Sequence, residues 1–72
     1  MPTEKDDILE ELINLQLDVL FGSRAWVKQV RSRRVIINHT NLDGIEKHRA
    51  KKMAIDFGAK EVIFEVVTED DQ

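Results

Sequence analysis

The sequence lacks cysteine altogether and contains only one proline and three glycines. Without cysteine there is no disulfide bond and no thiolate ligand for a metal ion. No apolar run approaches the roughly 20 residues that span a bilayer. The N-terminal segment is acidic where a secretory leader would be basic. These absences predict a soluble, intracellular protein without membrane contact.

The length of 72 residues predicts one domain covering 1–72. Folding buries only about 60% of the unfolded surface of a chain this short. Because no disulfide adds stability, some self-association is a reasonable expectation.

Charge is distributed in three blocks along the chain. Residues 1–21 carry one cation and six anions, residues 22–60 carry ten cations and three anions, and residues 61–72 carry five anions. A basic middle between acidic ends favours an anionic partner or head-to-tail contact between copies. The alternative is that these charges form solvated faces with no partner.

The first 22 residues predict a helix over Glu4–Phe21. Thr3 and Asp6 have the spacing of a capping box, and Gly22 suits the position after a helix end. Acidic pairs near the start are interpreted as helix-dipole and solubility residues. Apolar residues at helical spacing predict a buried stripe, widened by Leu17 and Phe21 so that the helix can contact more than one neighbour. The stripe consists of Ile8, Leu12, Leu15 and Val19, with Leu9, Ile13 and Leu20 alongside.

A β-hairpin is predicted next, with strands over Arg24–Val30 and Arg34–His39. Its register stays open, because no glycine or asparagine marks the turn. A two-residue loop at Arg31-Ser32 puts Trp26, Val30, Val35 and Ile37 on one face. A three-residue loop puts Ala25, Val27, Val35 and Ile37 together instead. Both leave apolar residues on the second face, which predicts that this face is covered too.

Trp26 is the only tryptophan of the chain. In so small a domain it is expected to be a buried core anchor. The alternative is a stacking platform for a nucleic-acid base, because cations flank it in the sequence.

A second helix is predicted to begin at Asn41 or Leu42, with Thr40 and Asp43 as its capping box, and to end at Gly58. Its predicted apolar residues are Leu42, Ile45, Ala50, Met53, Ala54 and Phe57. Its predicted exposed side is basic and consists of Lys47, Arg49, Lys51 and Lys52.

A third strand is predicted over Glu61–Thr68, parallel to the second hairpin strand. It would lie beside the first strand or pair with a neighbouring subunit. Residues 69–72 are expected to be frayed. The fold class is therefore α+β, with two helices packed on a β-hairpin (α-β-β-α) and a third, C-terminal strand.

Sequence motifs of catalysis are missing. There is no glycine-rich phosphate loop, and no serine or threonine has a base nearby in sequence. His39 and His48 lie nine residues apart without a carboxylate or thiol at ligand spacing, so we interpret them as structural, partly buried histidines. We expect no catalytic residue, cofactor or metal, and hence no enzyme.

Cations are the candidate contact residues for a protein partner or DNA. Three project from the hairpin tip, a geometry that suits phosphate groups. The alternative is a solvated turn. The candidate contacts are Lys28, Arg31, Arg33 and Arg34 of the hairpin and Lys47, Lys51 and Lys52 of the second helix.

One stretch of the sequence resembles a known family. The residues that carry the resemblance lie behind a leucine-rich helix and are Gly22, Arg24, Gln29, Arg33-Arg34-Val35, Thr40, Leu42 and Ile45. They resemble the gpW-like family of phage head-to-tail joining proteins, without gaps from about Leu15 to Met53. The third strand departs from the family pattern, which has a flexible tail there.

The resemblance implies two helices on one hairpin and a structural, non-enzymatic role. It implies a cytoplasmic protein of the host before assembly that becomes part of the virion neck, with other connector proteins as partners. It also implies a ring of copies in the particle and a monomer when free. Contact with DNA is possible but weak, because the net charge of the chain is −3. The alternative function is a small nucleic-acid-binding or regulatory module that uses the basic hairpin and second helix.

Overall fold

A computed structural model of the chain describes residues 3–68. The α+β class and the first helix are confirmed, and so is the third strand, although it ends at Val66 and not at Thr68. Residues 69–72, predicted to be frayed, lie outside the described residues. A short 3₁₀ turn over Gly22–Arg24 joins the first helix to the sheet. The elements are α1 (Glu4–Phe21), β1 (Ala25–Arg31), β2 (Arg34–His39), α2 (Gly44–Asp56) and β3 (Glu61–Val66).

The three strands form one sheet in the order β1-β2-β3. β1 and β2 are antiparallel, and β3 runs parallel to β2 within the same chain. The parallel direction was predicted correctly, but the expected place beside the first strand was wrong. At the free edge of β1 a side chain of α1 takes the place of a strand, since Asn14 Oδ1 accepts the N–H of Val27 at 2.8 Å. The crossover through α2 therefore brings β3 to the other side of β2.

Both helices pack on one face of the sheet and share one core. The opposite face has no cover among residues 3–68, so the prediction of a second covered face was wrong. The reason is that charged and polar side chains alternate with the apolar ones on that face. The buried apolar residues are Leu9, Ile13, Leu17, Phe21, Ala25, Val27, Val30, Val35, Ile37, Leu42, Ala50, Ala54 and Ala59.

α1 has the predicted bounds and capping box, but a different face turns inward. The four central residues of the predicted stripe are exposed, from 42% at Leu12 to 76% at Val19. Its predicted flank is confirmed in part, because Leu9, Ile13, Leu17 and Phe21 form the core. Both faces are apolar, and polar contacts select between them, because Asp6 and Asn14 must point at the hairpin to form their hydrogen bonds.

The hairpin turn is Ser32-Arg33, one residue later than the predicted two-residue loop. Both residues have positive φ, 51° and 61°, as in the type I′ turns that join antiparallel strands. A β-bulge between Val27 and Gln29 then shifts the register by one residue. The register of the two-residue loop at Arg31-Ser32 is therefore wrong throughout, and that of the three-residue loop holds only from Ala25 to Val27. The buried face is nevertheless that of the three-residue alternative, with Ala25, Val27, Val35 and Ile37 all buried.

α2 begins later than predicted, at Gly44, with a capping box formed by Asp43 and Glu46. Thr40 is unavailable as the cap because its N–H bonds the Arg24 carbonyl at 3.0 Å and so continues the hairpin. Gly58, with φ of 118°, follows the helix end as predicted. Of the predicted apolar residues, Ile45 and Phe57 are exposed.

Candidate interaction surfaces

Asp6 fastens the start of α1 to the hairpin turn. Its Oδ2 accepts the backbone N–H groups of Ser32 at 2.9 Å and Thr3 at 3.2 Å, and its Oδ1 accepts that of Arg33 at 3.0 Å. The Thr3 hydrogen bond is the main cause that lowers the pKa of Asp6 below its ordinary 3.8. Desolvation opposes this shift, and the Arg33 and Ser32 amides add to it. The interpretation of Asp6 as a solubility residue was wrong, because its side chain is buried.

The hairpin tip presents cations beside this buried carboxylate. Arg31 and Arg33 are exposed, and within residues 3–68 neither forms an ion pair. Arg33 also borders a cleft of about 390 Å³. The cleft is lined by Thr3, Lys5, Asp6, Ser32, Arg33 and Lys60. Three cations opposed by one carboxylate give the cleft a positive balance.

The other two hairpin cations are neutralised across the sheet. Arg34 Nε lies 2.9 Å from Glu61 Oε1, and Lys28 Nζ lies 3.1 Å from Glu65 Oε1. Both pairs lie on the sheet face without helices, because Val35 after Arg34 is in the core, and Val62 and Phe64 between the two glutamates pack against it. These two candidate contacts are therefore less available to an anionic partner than Arg31 and Arg33.

The three candidate cations of α2 lie on the other side of the sheet. Lys51 and Lys52 are exposed, whereas Lys47 is half-buried and lowers the pKa of His39. The seven predicted contact residues therefore form two separate groups rather than one basic patch.

An exposed apolar row runs along α1 and was missed as a surface. Its residues had been identified, but they were assigned to the core. We call this row the outer stripe of α1, and it consists of Ile8, Leu12, Leu15 and Val19, all exposed. Carboxylates border it: Glu4, Glu11 and Asp18 are exposed along one side. A shallow groove of about 380 Å³ on the same side is lined by Asp7, Glu10, Glu11, Asn14 and Leu15.

The sheet face opposite the helices is a second open surface, which we call the open sheet face. Trp26 lies there with 37% of its surface exposed, so its prediction as a buried core anchor was wrong. It pairs with Asn38 across the hairpin, while Ala25 and Val27 on either side of it are buried. Half-buried Ile36 and Ile63 lie on the same face, in neighbouring strands.

His39 is the buried histidine of the core, and His48 is exposed. The Nδ1 atom of His39 accepts the N–H of Leu42 at 3.4 Å, and Nε2 has no partner within the described part of the chain. The ring meets Phe64 edge to face, with centroids 5.9 Å apart. Burial lowers the pKa of His39 below its ordinary 6.5, and the charge of Lys47 lowers it further.

Residues 3–68 contain no group of three acidic, histidine or cysteine side chains arranged to hold a metal ion. No helix in the same range is both long enough and apolar enough to cross a bilayer. No protein-family model matches the chain, and comparison with curated proteins and with solved structures finds no match.

Proposed function

We propose that this protein is a non-enzymatic assembly protein that joins the head of a phage or prophage particle to its tail. The observation that carries the proposal is the exposure of large apolar side chains on two opposite sides of a two-layer molecule. The outer stripe of α1 lies on one side and Trp26 on the other. A protein that connects two others needs two such surfaces.

The exposed apolar side chains have a physical cost that a binding role explains. Soluble monomers rarely expose a continuous apolar patch, and patches with a polar rim commonly mark protein-binding sites. The outer stripe of α1 has such a rim in Glu4, Glu11 and Asp18. The sequence resemblance to the gpW-like family supplies the more specific part of the proposal, namely that the partners are head and tail connector proteins.

In this proposal the protein works by geometry. It stays in the host cytoplasm until heads are filled and then enters the virion neck. The hairpin tip, with Arg31 and Arg33, contacts a neighbouring connector protein or the DNA at the exit channel. Asp6 keeps the tip fixed relative to α1, so the two binding surfaces keep a constant orientation.

Deletion of the gene from the phage or prophage that carries it tests the proposal. We expect DNA-filled heads without tails in electron micrographs, and normal tailed particles after complementation with the intact gene. Complementation with Leu12→Ser plus Leu15→Ser, or with Trp26→Ser, should fail although each variant is folded by circular dichroism. Normal tailed particles from the complete deletion would contradict the joining function.

A nucleic-acid-binding module is the second candidate, favoured by the three cations around the cleft. Lys5, Arg33 and Lys60 border it, and phosphate contacts by such residues release counterions. This candidate predicts binding of duplex or single-stranded DNA that weakens steeply between low and moderate salt. A joining protein is expected to show little affinity for free DNA, so a salt titration with a labelled oligonucleotide separates the two.

A further inference from the structure

We infer that the layer formed by α1 and α2 binds a second copy of this chain, so that α1 of each copy lies against α2 of the other in a twofold dimer. The inference rests on the proposed function in one respect, that the helix layer is a protein-binding surface. It names a second copy as the partner of that surface, in place of the free monomer that the resemblance implies. The two open sheet faces of the dimer then lie on opposite sides and remain for the head and tail proteins.

The outer stripe of α1 has the geometry of a helix-packing seam. Its spacings of four, three and four residues place the side chains within an arc of about 60° on the helix. The buried residues of α1 lie on the opposite side, so the stripe points away from the sheet. Its carboxylate border forms no ion pair within residues 3–68.

α2 offers the complementary surface on its own outward side. Ile45 and Ile55 are exposed near its two ends, about 15 Å apart along the axis, close to the about 16 Å length of the stripe on α1. Cations fill the space between them. The outward side consists of Ile45, His48, Arg49, Lys52 and Ile55, with Asp56 at its end, and all are exposed.

Charge selects between the possible pairings of helices. Two copies of α1 packed antiparallel would bring Glu11 and Asp18 of one chain towards the same carboxylates of the other, and two copies of α2 would oppose Arg49 and Lys52. Like charges face to face are unfavourable at an interface. The pairing of α1 with α2 instead sets carboxylates against cations.

The fold allows both α1–α2 contacts to form at once. α1 and α2 lie on the same face of the sheet, and both outward sides point away from it. A twofold axis that lies in the plane of the interface and runs along the helices, between α1 and α2, therefore places α1 over the partner's α2 and α2 over the partner's α1. The Cα extents of 34 × 26 × 18 Å give the molecule a broad face large enough for the about 800 Å² per partner of a standard interface.

Sedimentation velocity of the purified full chain, over a range of concentrations up to millimolar and at low salt, tests the inference. We expect a monomer–dimer equilibrium that shifts towards monomer as salt is added. Glu11→Lys with Asp18→Lys should weaken the dimer about tenfold or more, because both outward sides are then basic. Arg49→Glu with Lys52→Glu should weaken the dimer to a similar extent, because the outward sides of α1 and α2 are then both acidic.

Sedimentation of a mixture of the two double variants is the decisive experiment. Each outward side of one variant then meets an opposite charge on the other, so a heterodimer should form at least as well as the native dimer. The quadruple variant should regain self-association. Arg31→Glu is the matched control, since this exposed cation ends β1 and lies on the outward side of neither helix, and it should leave the dimer unchanged.

Several outcomes would overturn the inference. A wild-type chain that stays monomeric at millimolar concentration contradicts it, as does a mixture of the two folded double variants that stays monomeric. A mass that keeps growing with concentration would show an open chain of subunits instead of a closed dimer. Because this experiment uses the isolated chain, it can fail while deletion of the gene still yields tailless heads, and the reverse also holds.

Discussion

The two sides of α1 have similar composition and opposite environments. The inward side contributes Leu9, Ile13, Leu17 and Phe21 to the core, and the outward side exposes Ile8, Leu12, Leu15 and Val19. Both follow helical spacing. Hydrophobic periodicity therefore identifies an apolar side of a helix, but it does not say whether the chain itself or another molecule covers that side.

Polar anchors distinguish the two sides of the helix. Asp6 bonds the hairpin turn and Asn14 bonds the N–H of Val27 at the edge of β1. Both anchors lie on the inward half of α1. If the helix were rotated to bury the outer stripe, these hydrogen bonds would break and a carboxylate would lose its donors, which is costly for a buried group.

The comparison is tested most directly by truncating one side chain on each side of the helix. Ile13→Ala removes a fully buried side chain and should lower the free energy of unfolding by about 2–5 kcal/mol. Leu15→Ala, with the wild-type residue 62% exposed, should change it by about 0.5 kcal/mol or less. Urea denaturation of both variants is the measurement. If Ile13→Ala unfolds the chain, Ile13→Val provides a milder version, with about 0.5–1.5 kcal/mol expected. Equal losses at 13 and 15 would contradict the assignment of the two sides.

The second prediction concerns the anchor that fixes the rotation of α1. Asp6→Asn removes the charge that three backbone amides share, and it should lower the Tm clearly while accelerating hydrogen exchange of the Ser32 and Arg33 amides. Asp7→Asn is the control, because Asp7 is an exposed carboxylate on the same turn of the helix. A Tm equal to the wild-type value in Asp6→Asn would mean that packing alone sets the rotation.

Asp6 also makes the stability of the folded chain depend on pH in the acidic range. Its pKa in the folded state is lowered from 3.8, so the folded chain holds the proton less tightly than the unfolded chain. The stability that this carboxylate contributes is therefore present above about pH 4 and is lost as the pH falls through the folded value.

Local sequence signals predicted much of the fold. The bounds of α1 followed from Thr3, Asp6 and Gly22, and β3 followed from alternation beginning at Glu61. The turn was missed because Ser32-Arg33 lacks the glycine or asparagine that normally marks positive φ. The turn is stabilised instead by the carboxylate of Asp6, which lies 26 residues from Ser32 in the chain. No local sequence pattern reveals such a contact.

The candidate surfaces were predicted less well, for a related reason. Lys28 and Arg34 look like free cations in the sequence, but β3 brings Glu65 and Glu61 beside them. These ion pairs form because β3 lies next to β2. The sequence did not predict that position of β3. The position of Trp26 likewise depends on the bulge in β1, which no residue pattern marked.

The third prediction compares the two histidines. Burial lowers the pKa of His39 below 6.5, so the folded chain binds this proton less readily than the unfolded chain does. The contribution of His39 to the free energy of unfolding should be fully present above about pH 6.5. It should fall as the pH drops below that value, before Asp6 begins to titrate. Thermal melts between pH 4.5 and pH 8, in steps of about half a unit, measure the slope.

Two variants separate the contribution of His39 from general acid effects. His39→Leu should remove the slope between about pH 5 and 6.5, because no proton is then taken up on unfolding. His48→Gln, at an exposed position of α2, should leave the slope as in the wild type. A slope that disappears with His48→Gln and persists with His39→Leu would contradict the assignment.

The smallest expected effect is a gain in stability at the hairpin turn. Arg33 has φ of 61°, a left-handed conformation that costs an L-residue about 1–2 kcal/mol and costs glycine nothing. Glycine loses more conformational entropy on folding, about 0.5–1 kcal/mol, which offsets part of the gain. Arg33→Gly should therefore raise the free energy of unfolding by up to about 1 kcal/mol, and adding Ser32→Asn should raise it further, because Asn-Gly is the preferred pair in this turn.

The control for the turn is the same substitution two residues earlier. Arg31 is exposed, ends β1 and has no positive φ, so Arg31→Gly weakens a strand without relieving strain. It should lower the urea midpoint, while Arg33→Gly raises it. Since both variants lose one arginine from the tip, their charge is equal and the difference between them reports backbone conformation alone. A lower midpoint for Arg33→Gly would mean that the arginine side chain itself stabilises the tip and would contradict the assignment of strain to its positive φ.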